Sequence, residues 1–156
     1  MKIIIKRVKM KIKRIKKLMI SGISVTTNNN NEMNEDTQKI PSLWEQYDNE
    51  HIHAKTLNRS KDSSLYAVYS NYTSDLNGDF DVMVGVEVTK PKNVITIENQ
   101  KFLVFTKQGE LPEVAFEAWQ DVWDYFANES EYERKYTIDF EKYSKRDEIE
   151  IYIAIK

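Results

Sequence analysis

The segment YAVYSNYTSDLNGDFDVMVGVEV, Tyr66 to Val88, decides the fold. Its first part, within SLYAVYSNYT, is rich in aromatic and β-branched residues, a composition that suits a pleated strand. Asn77-Gly78 is a tight-turn signal. After it Phe80, Val82, Val84, Val86 and Val88 alternate with Asp81, Met83, Gly85 and Glu87. Such alternation is a strand with one apolar face, so the segment is an antiparallel hairpin. Gly85 carries no side chain and leaves room for something close to the sheet.

Before the hairpin, KLMISGISVT (17–26) reads as a strand. KIPSLWEQYDNEHIHA (39–54) reads as one helix, with apolar residues at Ile40, Leu43, Trp44, Tyr47 and Ile52 and Pro41 in the tolerated first turn. After the hairpin the order recurs. VITIENQKFLVFTKQG (94–109) is strand material, and PEVAFEAWQDVWDYFANES (112–130) is an amphipathic helix. YTIDFEKY (136–143) and EIEIYIAIK (148–156) flank the turn SKRD as a second hairpin. Trp44 and Trp119 occupy matching places in the two helices, 75 residues apart. The expected fold is α+β: a tandem, pseudo-two-fold β-α-β-β repeat forming an antiparallel sheet, with two helices on one face. The repeat halves span about 11–89 and 93–156, in one domain covering 11–156. Residues 1–10 are read as a basic N-terminal extension, with disorder one expectation for it.

Composition narrows the chemistry. The chain has no Cys, which excludes disulfides and thiolate nucleophiles and fits a reducing, cytoplasmic setting. His51 and His53 are the only histidines, too few for a His-based metal site or triad, so neither metal nor cofactor is expected. Residues 1–17 carry nine Lys or Arg and no acid, leaving 14 basic against 25 acidic residues in the rest, a net of −11. An acidic body suits cations better than nucleic acid. The basic start is compatible with an arm for anionic polymers or lipids, but no run of 18 apolar residues indicates a membrane span.

Within the last hairpin, Ile138 and Phe140 point one way; Asp139, Glu141 and Tyr143 point the other. We expect Ile138 and Phe140 to share the helix-covered face with Ile149, Ile151, Ile153, Ile155 and the row Val82 to Val88. The opposite face then carries Asp139, Glu141 and Tyr143 with Glu150, Tyr152 and Ala154, with Met83 and Gly85, and with Tyr66, Val68, Ser70 and Tyr72. Carboxylates among aromatic rings attract organic cations, because the rings offer π-faces and the acid offers charge. The competing reading is an open, wet sheet bearing ordinary cross-strand Tyr and Glu pairs.

IPSLWEQYDN, YAVYSNYTSDLNGDFDVMVGVEV, KFLVFTKQGELPEVAFEAWQDVWDYF and DFEKY…EIEIYIAIK, in that order, resemble the GyrI-like effector-binding domain, nearest its stand-alone, integron-associated and YdeE-like subgroup. The resemblance spans about residues 11–156. It implies paired β-α-β-β units around a central cleft, lipophilic and often cationic small-molecule ligands, and kinship with the sensor halves of AraC-type and MerR-type transcription regulators. It maps the family's functional acid, in a Glu-x-Tyr, onto Glu141 with Tyr143. By position it carries ligand-lining roles to Tyr66, Tyr72, Trp119 and Trp123, and further to Met83, Gly85 and Tyr152.

Residues 1–37 hold no helix-turn-helix pattern, so direct DNA binding is not expected, while a regulator protein is a possible partner. The leading functional expectation is a stand-alone binding protein for a lipophilic organic cation, linked to transcription regulation or multidrug sensing. The alternatives are a hydrolase of strained electrophiles, with Glu141 as general base and Tyr143 beside it, and a gyrase-inhibitor-like partner protein.

Overall fold

The computed structural model describes residues 9–128 and 130–156. Six strands and four helices follow one another as β1 (Lys9–Asn28), α1 (Asn29–Glu32), α2 (Ile40–Asn49), α3 (Ile52–Lys55), β2 (Leu65–Ser70), β3 (Asp79–Glu87), β4 (Ile95–Gln108), α4 (Glu113–Ala127), β5 (Arg134–Lys145) and β6 (Glu148–Ile155). Every strand pairing is antiparallel. Lys9 and Met10, assigned from sequence to the extension, already belong to β1; the rest of that extension lies outside the described residues. The single helix read over 39–54 is two, because His51 takes a left-handed conformation (φ 54°) and ends the first run.

The strand order makes the duplication explicit. The first half contributes β1-β3-β2 and the second β4-β6-β5, the same internal order. The halves join through equivalent strands, β1 to β4 and β2 to β5, so the sheet closes on itself. Antiparallel pairing between equivalent strands is what a two-fold relation between halves requires. Closure also removes the open sheet edges that would otherwise template pairing with other chains.

A closed sheet has an inside and an outside, and here both are apolar. Inside lie Leu18, Ile20, Tyr66, Val68, Phe102, Phe140 and Tyr152, with Met83 packed against them. Phe140 and Tyr152 stack with ring centroids 4.2 Å apart. Outside, α4 covers Leu103, Phe105, Ile151 and Ile153 through Val114, Ala118 and Val122. Likewise α2 sets Leu43 and Tyr47 against Ala67, Tyr69, Val82 and Val84.

This arrangement corrects the expected sharing of faces. Glu141 lies opposite Ala67 and Ile151, and Ala67 lies opposite Val84. The acid therefore shares the helix-covered face with the Val82–Val86 row and the β6 isoleucines. Ile138 and Phe140 face inward with Tyr66, Met83 and Tyr152. Gly85 does meet something close, and it is β1. A Cβ built there would stand 2.0 Å from the Ser21 carbonyl oxygen and 2.9 Å from Gly22 Cα.

Gly85→Ala is therefore expected to force β1 and β3 apart. Overpacking of this kind costs about 1–3 kcal/mol, or a fall in Tm of roughly 3–10 °C for a domain of this size. Thermal unfolding followed by circular dichroism checks it, and an unchanged Tm would contradict the close approach of the two strands.

Candidate functional site

Between α2 and α4 the outer face of the sheet is left uncovered along the β2–β5 seam. Each helix has a buried stripe and, displaced from it, a second stripe that edges this opening. On α4 the buried stripe is Val114, Ala118 and Val122, and the edging stripe is Ala115, Trp119 and Trp123. On α2 the corresponding sets are Leu43 with Tyr47, and Ile40 with Trp44. The four-residue spacing within each stripe is one helical turn, so each sequence face builds one wall.

Glu141 forms the floor. It is 4% exposed, and three neutral donors converge on it. Tyr69 Oη donates to Oε2 at 2.9 Å, Trp119 Nε1 donates to the same oxygen at 2.5 Å, and Tyr143 Oη donates to Oε1 at 2.7 Å. None of the ion pairs among the described residues involves Glu141. Burial raises its pKa above the ordinary carboxylate value of 4.5, and the bonds from Trp119, Tyr143 and Tyr69 oppose that rise. Burial first, and the Glu141 charge second, push the Tyr69 and Tyr143 hydroxyls well above 10, so both stay protonated as donors.

Asp139, two residues earlier on the same face of β5, has a different environment. Arg134 Nη2 donates to its Oδ2 at 2.8 Å, Tyr72 Oη to the same oxygen at 2.5 Å, and the Ala154 amide to Oδ1 at 2.8 Å. The strand thus buries two acids. One has a cation and the other has none.

Two cavities open beside Tyr69. The larger, about 410 Å³, reaches Glu141 and Tyr143 between Ile40, Trp44, Leu65 and Ala115. The smaller, about 140 Å³, lies on the far side among Tyr72, Phe80, Phe116, Trp119 and Trp123, with Arg134 in its wall. Ile40 and Tyr69 belong to both walls. Exposed Leu111 edges the first, and exposed Met33, Leu76 and Phe116 edge the second.

Of the residues singled out from sequence, Glu141, Tyr143, Tyr72, Trp119 and Trp123 meet around this cleft. Tyr66, Met83, Gly85 and Tyr152 do not: they sit on the opposite, inward face of their strands. Tyr66 Oη instead donates to Asp62 Oδ2 at 3.2 Å. Tyr72 reaches the cleft because Asn71 adopts positive φ (53°) and resets the alternation after Ser70. Sequence reading missed Tyr69, Arg134 and Trp44. The signal for Tyr69 was its place two residues from Ala67, but only the β2–β5 register shows that Ala67 faces Glu141.

Among the described residues no group of His, Asp and Glu is arranged to hold a metal ion, and no helix is long and apolar enough to cross a membrane.

Comparison with known proteins gives the family and the fold. Residues 11–155 match the family model of Cass2, the integron-associated effector binding protein. YobU of Bacillus subtilis (strain 168), named as a candidate transcriptional regulator protein, is 32% identical over 149 residues, covering 87% of this chain and 91% of its own. The crystal structure of the integron cassette protein VCH_CASS2, from the mobile metagenome of Vibrio cholerae, superimposes with a TM-score of 0.79 at 35% identity over 94% of this chain and 95% of that one. SAV2435, solved bound to tetraphenylphosphonium, shares the fold with a TM-score of 0.75 at 20% identity, over 95% and 94% of the two chains. With nearly its whole length matched, the chain belongs to the integron-associated effector-binding protein family.

Proposed function

We propose that this protein binds lipophilic organic cations in the cleft between α2 and α4, as a small-molecule effector-binding protein linked to transcription regulation. The observation that carries the reading is Glu141: a buried carboxylate with three neutral donors and no cation among the described residues. Burying a charge unpaired costs several kcal/mol. A bound cation offsets that cost, whereas a neutral guest of equal size does not. Trp44, Tyr69 and Trp119 add π-faces, each worth about 0.5–2 kcal/mol to a cation lying over the ring. A cavity of about 410 Å³ is in the range that suits drug-sized ligands. That SAV2435, of the same fold, was solved with tetraphenylphosphonium supports the same ligand class here.

Signalling onward would run through a partner regulator protein, with the cytoplasm as the proposed setting. Hydrolysis is the weaker reading. A general base needs a free lone pair aimed at water, and three of the roughly four lone-pair sites on Glu141 already accept hydrogen bonds.

Glu141→Gln tests the proposal with little change of shape. The amide oxygen can accept from Trp119 and Tyr69 while its NH2 donates to the Tyr143 oxygen. Isothermal titration of the variant is expected to show at least a tenfold loss for tetraphenylphosphonium, about 1.4 kcal/mol. Neutral triphenylphosphine oxide should bind both proteins alike. Equal losses for the two compounds would mean that charge is not what the cleft reads.

Titration of Glu141 adds a pH signature. Its folded pKa lies above 4.5, so the native state holds a proton that the unfolded chain releases over that window. The ligand-free protein should therefore lose stability as pH rises from about 4.5 through the raised value, and cation affinity should climb over the same interval. Glu141→Gln lacks both trends, and its ligand-free Tm at pH 7 should equal or exceed that of the parent. Thermal-shift curves between pH 4 and 8, with and without tetraphenylphosphonium, check the sign. Affinity that stays flat over that range would contradict the raised pKa.

A further inference from the structure

The smaller cavity contains a polar feature that cation binding at Glu141 does not use. Arg134 lies in its wall and is nine-tenths buried. A guanidinium has five N–H donors. Among the described residues its one side-chain hydrogen bond runs from Nη2 to Asp139, and its Nε is buried with no acceptor at all. The head is held in place by the Tyr136 ring, 4.3 Å from Cζ to centroid, and by Phe126 on another side. The Nε is shut off from the cavity, so it is the terminal N–H groups, with Nη1 making no hydrogen bond among the described residues, that offer a site to an acceptor brought from outside.

Charge decides which acceptor. Arg134 and Asp139 already cancel, so the pair has no net charge to offer a second anion. Its spare donors call for a neutral oxygen such as a ketone, amide or ether. Asp139, to which Arg134 is bonded at 2.8 Å, and Glu141 are two residues apart on one strand face, so the two acids lie about 7 Å apart along β5, and Tyr69 is in the walls of both cavities.

Resting on the cation reading of Glu141, we infer that the cleft is bipolar: its effectors are aryl cations bearing a neutral acceptor oxygen about one aromatic ring away from the charge. The cation sits over Glu141, the ring lies against Tyr69 and Trp119, and the oxygen accepts from Arg134. A symmetric cation without an acceptor fills only part of this pattern.

The test is a matched pair of probes, 4-benzoylbenzyl-trimethylammonium and 4-benzylbenzyl-trimethylammonium. They share charge and outline and differ by a ketone in place of a methylene. Isothermal titration of the unmodified protein is expected to show the ketone binding at least tenfold tighter, as for a hydrogen bond from a charged donor. In Arg134→Lys, which keeps the charge beside Asp139 but not the fork, that preference should shrink toward unity. Should the variant fail to fold, the pair measured on the unmodified protein still decides. Equal affinities, both weakened by Glu141→Gln, would overturn the acceptor subsite and leave cation binding standing. Failure of both probes to bind, or indifference of both to Glu141→Gln, would overturn the two readings together.

Discussion

Two carboxylates buried on one strand face, with only one of them neutralised by the protein, set the character of this molecule. Asp139 is bonded to Arg134, Tyr72 and a backbone amide, and so behaves as a closed structural unit tying β5 to β6 and to the segment after β2. Glu141 is given three donors that orient it without cancelling its charge. A lysine in place of Trp119 would satisfy the acid internally and close the site. Neutral donors instead hold the carboxylate rigid while leaving its field available in a medium that screens it poorly. Burial raises the acid's pKa despite the three hydrogen bonds that oppose the rise.

The duplicated fold explains why such a site lies at this seam. Equivalent strands β2 and β5 pair antiparallel, so one helix from each half flanks their junction. The cleft between the two helices has a wall from each, with Trp44 on one and Trp119 on the other. Ala67, opposite Glu141 in the register, is packed in the core cluster beneath α2. The walls then take different duties. Trp119 donates to Glu141, whereas Trp44 meets the Tyr143 ring edge-on at 6.1 Å. Pseudo-symmetry supplies the cleft, and departures from it supply the chemistry.

Much of this was legible in the sequence, and the illegible part has one cause. Element order, both hairpins, the repeat and the split between Glu141 and Phe140 follow from local alternation, which needs no knowledge of partners. Alternation says which residues of one strand share a face; it does not say which faces of different strands coincide. In an open sheet, polarity usually settles that, because one face is wet. Here closure makes the inside as apolar as the helix-covered outside, so Val82 and Met83, or Ile151 and Tyr152, carry no label for their side. Alternation puts Tyr66 and Tyr69 on opposite faces of β2, and only register says that Tyr69 is the one on the Glu141 side. The reset at Asn71 then hid a second parity change, carrying Tyr72 across to Asp139.

The same geometry bears on how selective such a cleft can be. Its directional groups are few: the Glu141 carboxylate, already oriented, and the spare donors of Arg134. The remaining contacts, from Trp44, Tyr69, Trp119, Trp123 and the exposed apolar rim of Met33, Leu76, Leu111 and Phe116, are dispersion and π-face contacts that tolerate many outlines. A site of this kind would discriminate by charge, and by an acceptor oxygen at Arg134, more sharply than by outline, because only those mismatches leave a buried group uncompensated. On the reading proposed above, breadth toward different aromatic cations and weaker binding of their neutral analogues would both follow from a single buried acid.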